Sequence, residues 1–289
     1  MANYPEKVYL NGEILDAQEA KISVFDRGFL FGDGIYEVML RIKGSFFYGA
    51  EHLQRLAKCL EKINIEFDVS CLPNTIDLLL KASNLELQDC LLYIQVTRGV
   101  APRKHSFPNS TVPTLMLYAM PFVLPELNDK PISVVTTRDF RWHRCDIKMT
   151  SLLGNVMAND VAIKAGHYET VFYRDGKVTE ASHSNIFFVK DSTVYTHPAN
   201  EHILNGITRE IVIELCHKND IAVKEKAVWR EDIVKMDEAF LTGTSTQIAS
   251  IQKIDDHYFY QGSAPGLVTQ KLQKLFLQLK NSYECEKLI

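Results

Sequence analysis

Lys148 stands between Ile147 and Met149 in RCDIKMTSLLGN, after a strand-like run. Taken alone it reads as a surface lysine resting its stem on apolar neighbours. In TEASHSNIFFV, Glu180 opens a run of small and polar residues that leads into an apolar strand, where a lone carboxylate is ordinarily solvated. ILNGITREIVIEL sets Gly206 ahead of Ile207 and Thr208 at the start of a helix. Unpaired backbone N–H groups and the positive dipole end meet there, which makes an anion site. LTGTSTQI adds the hydroxyls of Thr244, Ser245 and Thr246, suited either to an anion or to a cap. APRKHSFPN holds Arg103, Lys104 and His105 between Pro102 and Pro108, by itself a solvated turn. If that loop is extended, Arg103 and His105 face one side and Lys104 the other.

Rival chemistries find less support. GDG in DRGFLFGDGIYEV lacks the GK[ST] ending of a phosphate loop and reads as a buried turn. His143 and Cys145 near Asp146 lack a second pair of ligands for zinc, and GTST has no histidine signature for acyl transfer. A net charge of −4 gives no general attraction to nucleic acid or acidic membranes. Six cysteines without a CxxC pair read as reduced thiols. No apolar run approaches the roughly 20 residues of a membrane helix, and the start lacks a secretory profile, so the cytoplasm is the expected location.

The elements that must position these residues follow from pattern. VYLNGEIL is a β-hairpin turning at Asn11-Gly12. EHLQRLAKCLEKINI is a helix with Leu53, Leu56, Leu60 and Ile63 on one stripe, and TIDLLLKASNL is a second. Arg55 lies off the stripe, which points it toward solvent unless that flank faces a cleft. LLYIQVTRG and TLMLYAM are strands joined by the cationic loop. AMPFVLPELNDKP carries three prolines and divides a domain of residues 1–120 from one of residues 132–289, with a linker at 121–131. Beyond it, ISVVTTRDFRW is strand-like, while TVFYRDGKVTEA and SNIFFVKDSTVYTHP are antiparallel pairs. ITREIVIELCHKN and PGLVTQKLQKLFLQLKN are helices. The second has Ser263 as a candidate cap, Pro265 in its first turn, and a stripe of Leu272, Leu275, Phe276 and Leu279.

Glu180, Ser182, Asn185, Ile186, Phe187, Thr196, Leu204, Gly206, Ile207 and Arg209 resemble, in order and spacing, the signature of the class IV (fold-type-IV) pyridoxal-phosphate aminotransferases. DRGFLFGDGIYEV and the lysine in RCDIKMTSLLGN are similar to that family too. The resemblance implies an α+β, two-domain enzyme: a small N-terminal α/β domain and a larger domain of mainly antiparallel strands with helices. It implies that Lys148 holds pyridoxal 5′-phosphate covalently and shuttles a proton between Cα and C4′. Glu180 would pair with the pyridine nitrogen, and Leu204 falls on a cofactor-side position, as does Trp142, which a core or lid role suits equally. Arg55, Ile207, Thr208 and Thr244 would hold the phosphate. Within the family, D-amino-acid aminotransferases carry an RxH loop that reaches the partner subunit of a homodimer, together with a tyrosine after the GDG turn. Arg103, His105 and Tyr36 match these as ligands of the substrate carboxylate.

The reaction so implied is transamination between D-amino acids and 2-oxo acids, best D-alanine with 2-oxoglutarate giving pyruvate and D-glutamate. A branched-chain L-aminotransferase, an aminodeoxychorismate-lyase-like enzyme and a non-catalytic vitamin-B6-binding protein stand as alternatives. His183 departs from the run of small serines common in D-specific relatives.

Overall fold

Asn11 and Gly12 take φ angles of 49° and 105°, the left-handed region a two-residue hairpin turn demands, and close β1 (Lys7–Leu10) onto β2 (Glu13–Asp16). The structure is a computed structural model and describes residues 4–127, 131–262 and 264–283. The chain falls into two units. The first holds the residues up to Val123 together with Ile147–Ser151, the segment bearing Lys148; the second holds Leu124–Asp146 and Leu152–Tyr283.

After the hairpin the first unit continues with α1 (Arg27–Phe31), β3 (Gly34–Ile42), β4 (Ser45–Phe46), α2 (Gly49–Lys62), α3 (Leu72–Ala82), β5 (Cys90–Thr97) and β6 (Thr114–Pro121). Its strands form one antiparallel sheet in the order β2-β1-β6-β5-β3-β4. The expected stripe on α2 is present: Leu53, Leu56 and Leu60 are buried, with Ile63 partly buried beside them. They join Ile76 and Leu79 of α3 against Ile35, Met39, Leu92 and Ile94 of the sheet. β5 and β6 pair in full register from Cys90↔Pro121 to Thr97↔Thr114, so the cationic loop does join neighbouring strands.

The second unit contains β7 (Ile132–Arg138), α4 (Leu153–Lys164), β8 (Glu169–Arg174), β9 (Lys177–Ala181), β10 (Asn185–Lys190), β11 (Thr193–Thr196), α5 (Ile207–Lys218), β12 (Val223–Glu225), β13 (Glu238–Gly243), β14 (Gln247–Ile254), β15 (His257–Tyr258) and α6 (Leu267–Ser282). Its sheet runs β12-β11-β10-β13-β14-β7-β8-β9, with β15 on β14. β7 pairs in parallel with both β14 and β8, and β11 with β12; the other pairs are antiparallel, as expected of this half of the chain. Asp175-Gly176 and Asp191-Ser192 turn with positive φ where the sequence places the turns.

The start of α6 differs from expectation. The helix begins at Leu267, so Pro265 precedes it, and Ser263 lies outside the described residues. Its first N–H groups are capped instead by Glu238 of β13, which accepts from Val268 N–H at 3.1 Å and Thr269 N–H at 2.7 Å. A long carboxylate from a neighbouring strand takes the place of a local hydroxyl. Leu272 and Phe276 are buried as expected, whereas Leu275 and Leu279 are only partly covered. Among the described residues no helix is long and apolar enough to cross a membrane, and no group of His, Cys, Asp and Glu could hold a metal ion.

Candidate active site

GIYEVMLRI places a glutamate inside a mainly apolar strand, and alternation along β3 sends Tyr36 and Glu37 to opposite faces. A wholly buried carboxylate needs a counter-charge. Arg55 of α2 supplies it, donating Nε–H to Glu37 Oε2 at 2.9 Å and Nη2–H to Oε1 at 2.7 Å, while His52 Nδ1 lies 3.0 Å from Oε1. Burial opposes ionisation of Glu37, but Arg55 and His52 together hold its carboxyl well below the usual range. Burial also pushes the His52 imidazole down. Arg55 therefore does not face solvent, as its place off the apolar stripe suggests; it turns inward to neutralise a buried charge.

The segment Ile147–Ser151 lies along the start of β3. Tyr36 N–H donates to the Lys148 carbonyl at 3.0 Å, and Thr150 N–H to the Gly34 carbonyl at 3.0 Å. Ile147 and Met149 are buried in the first core, so Lys148 between them points the other way. Its Nζ stands 4.3 Å from the centre of the Tyr36 ring. Lys148 is thus half-buried and oriented by its neighbours, unlike a solvated surface lysine. Tyr36 stacks in turn on Tyr93, at 5.6 Å between ring centres. Arg103 and His105 gather elsewhere in the same unit: the Arg103 guanidinium lies 5.2 Å and the His105 ring 5.9 Å from the centre of the Phe31 ring. Tyr36, Arg55 and Lys148 therefore form one group around β3, and Arg103 with His105 a second around Phe31.

In the second unit Glu180 is the penultimate residue of β9 and is buried, 5% exposed. Its Oε1 accepts from Arg141 Nη1 at 2.8 Å; its Oε2 accepts from Leu204 N–H at 2.9 Å and Asn185 Nδ2 at 3.2 Å. Arg141 is shared, because its Nε and Nη2 both bond Asp139, each at 3.0 Å. Burial is the largest influence on Glu180 and, with part of the Arg141 charge spent on Asp139, pushes the carboxyl up to about 7. Asn185 also donates to the Leu204 carbonyl at 2.8 Å and so ties the strand to the loop before α5. In that loop a Cβ on Gly206 would fall 2.3 Å from Asn185 Oδ1, and only glycine permits the approach. Glu210 N–H makes the first bond of α5, to Gly206 O, so the N–H groups of Ile207, Thr208 and Arg209 precede the ladder, and the N-cap, Gly206, brings no side chain to cap them. Asn185 pairs with Thr242 across β10 and β13, which brings the loop of Thr244 to the same end of the sheet.

This donor set fits pyridoxal phosphate. A phosphate calls for uncommitted N–H groups and hydroxyls, which the α5 N-terminus, Thr208 and the nearby Thr244 offer. A protonated pyridine nitrogen calls for a buried carboxylate as its partner, which Glu180 offers. An aldehyde calls for an oriented amine, which describes Lys148.

Sequence reasoning missed Arg141, Asp139, Glu37 and His52. Glu37 did carry a signal, a charge in an apolar strand that must find a partner. Arg141 carried none, since nothing local ties it to a glutamate so distant in the chain. Trp142, which fell on a cofactor-side position, is about half exposed.

The sequence profile of the family described as amino-transferase class IV matches residues 34–254. A D-alanine aminotransferase of Staphylococcus haemolyticus is 40% identical over 274 residues, spanning 93% of this chain and 96% of its own. Among solved structures, the branched-chain aminotransferase of Thermoproteus uzoniensis with norvaline aligns with a TM-score of 0.83 at 25% identity, covering 96% of this chain and 95% of that one. The PLP-form of a branched-chain amino acid aminotransferase from Thermobaculum terrenum gives 0.82 at 23% identity, covering 95% and 94%.

Proposed function

The chain belongs to the class IV amino-transferases, which are pyridoxal-phosphate enzymes, and from that premise we propose that it exchanges amino groups between D-amino acids and 2-oxo acids. D-alanine and 2-oxoglutarate, giving pyruvate and D-glutamate, are the substrates best supported. The observation that carries this reading is that Arg103 and His105, two donors of the kind a carboxylate binds, both lie against the Phe31 ring, 5.2 and 5.9 Å from its centre. The branched-chain L-alternative has weaker support, because those structures share the fold at 25% identity or less, against 40% for the D-alanine enzyme.

Bound pyridoxal phosphate supplies an aldehyde that receives the amino group and a ring that draws electrons from the substrate Cα. Lys148 Nζ would hold the group and, when free of it, would take up and return the proton at the substrate Cα. Glu180 keeps a proton at the pyridine nitrogen; Arg141, Leu204 N–H and Asn185 fix its two oxygens for that task. Backbone N–H groups of Ile207 and Thr208 and the hydroxyls of Thr208 and Thr244 would hold the phosphate, with Arg55, whose Nε and Nη2 bond Glu37, adding its positive charge. Arg103 and His105 donate to the substrate α-carboxylate, and the Tyr36 phenol adds a third donor. With the carboxylate pinned, Cα–H points at Lys148 for only one enantiomer.

The working unit in this reading is a homodimer in which Arg103 and His105 reach the partner's active site. Leu153, Val156, Met157 and Val161 support it: they stand exposed at helical spacing on α4, an apolar face of the kind a second copy would cover. We place the enzyme in the cytoplasm, where cysteines without disulfide spacing stay reduced.

A donor panel in both enantiomers tests the function. The yellow purified enzyme should bleach with D-alanine and not with L-leucine. The reverse preference would overturn the substrate, and colour without any donor response would overturn the catalysis.

A further inference from the structure

The loop bearing Arg103 and His105 is long and without a ladder of its own, yet both side chains are useful only if held together. Its base is closed by a close crossing. Gly99 has φ of +91°, and a Cβ there would fall 2.0 Å from the Val112 carbonyl oxygen, so the two arms meet where no side chain fits. Below this crossing lies a buried charge cluster. Asp33 accepts from Arg27 Nε at 2.7 Å and from Arg98 Nε and Nη2 at 2.8 and 3.0 Å, and the side chains involved are almost fully buried. Arg98 also donates to the carbonyls of Asn64 and Ile63, which fixes the cluster to the end of α2.

Two features join cluster and loop. Arg27 Nη1 reaches the Lys104 carbonyl at 2.7 Å, the peptide between the two proposed substrate ligands. The Arg98 guanidinium lies 3.7 Å from the centre of the Phe107 ring, clamping the descending arm. Phe31, the last residue of α1, completes the arrangement, with the guanidinium groups of Arg27 and Arg103 at 4.6 and 5.2 Å from its ring centre and the His105 ring at 5.9 Å. These separations lie within the range of cation–π and aromatic attraction.

We propose that Phe31, seated on Arg27 and aided by the Arg98–Phe107 clamp, is the positioning residue that holds Arg103 and His105 for the substrate carboxylate. The inference rests on the reading of Arg103 and His105 as carboxylate donors. An exposed arginine samples many rotamers, and binding that must freeze them is weakened accordingly. A ring that holds the guanidinium beforehand lessens this loss. Phe31 touches no reacting atom, so its removal affects capture of the substrate and leaves the proton transfer at Lys148 intact.

Steady-state kinetics of the holoenzyme with D-alanine and 2-oxoglutarate test it, using Phe31→Leu, Phe31→Tyr and Phe107→Leu beside Arg103→Ala. Phe31→Leu keeps apolar bulk and loses the aromatic face; it should raise the D-alanine KM about fivefold, as expected from loss of a cation–π contact, with kcat within about twofold. Phe31→Tyr keeps the face and should retain the parent KM. Phe107→Leu, at a half-exposed position that folding tolerates, should raise KM in the same sense by a smaller factor. An unchanged KM in Phe31→Leu beside a raised KM in Arg103→Ala would overturn the platform alone. Equal loss of kcat in the Leu and Tyr variants at unchanged KM would mark Phe31 as structural only and also overturn it. An unchanged KM in Arg103→Ala would instead bring down the carboxylate reading and this inference with it.

Discussion

Glu180→Gln should change how the stability of the cofactor-free protein depends on pH. Burial raises the Glu180 carboxyl from 4.5 to about 7, so the folded chain keeps a proton that the unfolded chain releases. Where the folded state binds more protons, stability falls as pH rises, here between about 4.5 and 7. At ~1.36 kcal/mol per pKa unit the loss amounts to about 3 kcal/mol, absent below the lower value and complete above the upper one. The amide in the variant cannot titrate and should not show it. Urea unfolding of the two cofactor-free proteins at intervals from pH 4.5 to 7.5 gives the comparison. The difference parent minus variant should become less favourable by about 3 kcal/mol across that range. Reloading with pyridoxal phosphate should abolish the trend, because a protonated pyridine beside Glu180 favours the ionised carboxylate at every pH tested. Parallel pH curves for the two cofactor-free proteins would refute the claim that Glu180 is held near neutrality.

At D-alanine well below the raised KM of Arg103→Ala, that variant and Lys148→Ala should each turn over little alone, yet mixed and reassembled dimers should recover activity, since one site then has its own Lys148 and the partner subunit's Arg103; no recovery would place Arg103 in the site of its own chain. Gly206→Ala forces Asn185 away from Gly206 and so disturbs the bonds to Glu180 and Leu204. Loss of about one such bond should weaken pyridoxal phosphate binding about tenfold, read by fluorescence titration. Leu56→Ala removes a side chain with no exposed surface and should cost about 2–5 kcal/mol in urea unfolding, against about 0.5 kcal/mol or less for Leu78→Ala on the exposed side of α3.

Much of the fold was legible because local signals and tertiary packing agree. Asn11-Gly12, Asp175-Gly176 and the Leu53/Leu56/Leu60 stripe each carry their cause in a few adjacent residues. Helix α4 was less legible: Leu153, Val156, Met157 and Val161 fall at helical spacing but stand exposed, while the helix buries Ala158 and Ala162, so apolar residues on both faces blur the pattern. The cap of α6 was hidden for a different reason, since Glu238 comes from a strand that only the folded sheet brings near. The same division holds at the site. Gly206, Ile207 and Thr208 announce an anion site by position alone, whereas the burial of Glu180, which raises its carboxyl, and its sharing of Arg141 with Asp139 are products of tertiary structure.

The central claim is that Lys148 moves the Cα proton of a D-amino acid whose carboxylate is fixed. Exchange of the Cα hydrogen with D2O, followed by proton NMR on separate samples of D- and L-alanine with holoenzyme and no 2-oxo acid added, measures that step directly. The Cα signal should be lost for D-alanine with the parent enzyme and retained for L-alanine and for D-alanine with Lys148→Ala. Equal exchange of both enantiomers, or undiminished exchange of D-alanine by Lys148→Ala, would contradict that claim.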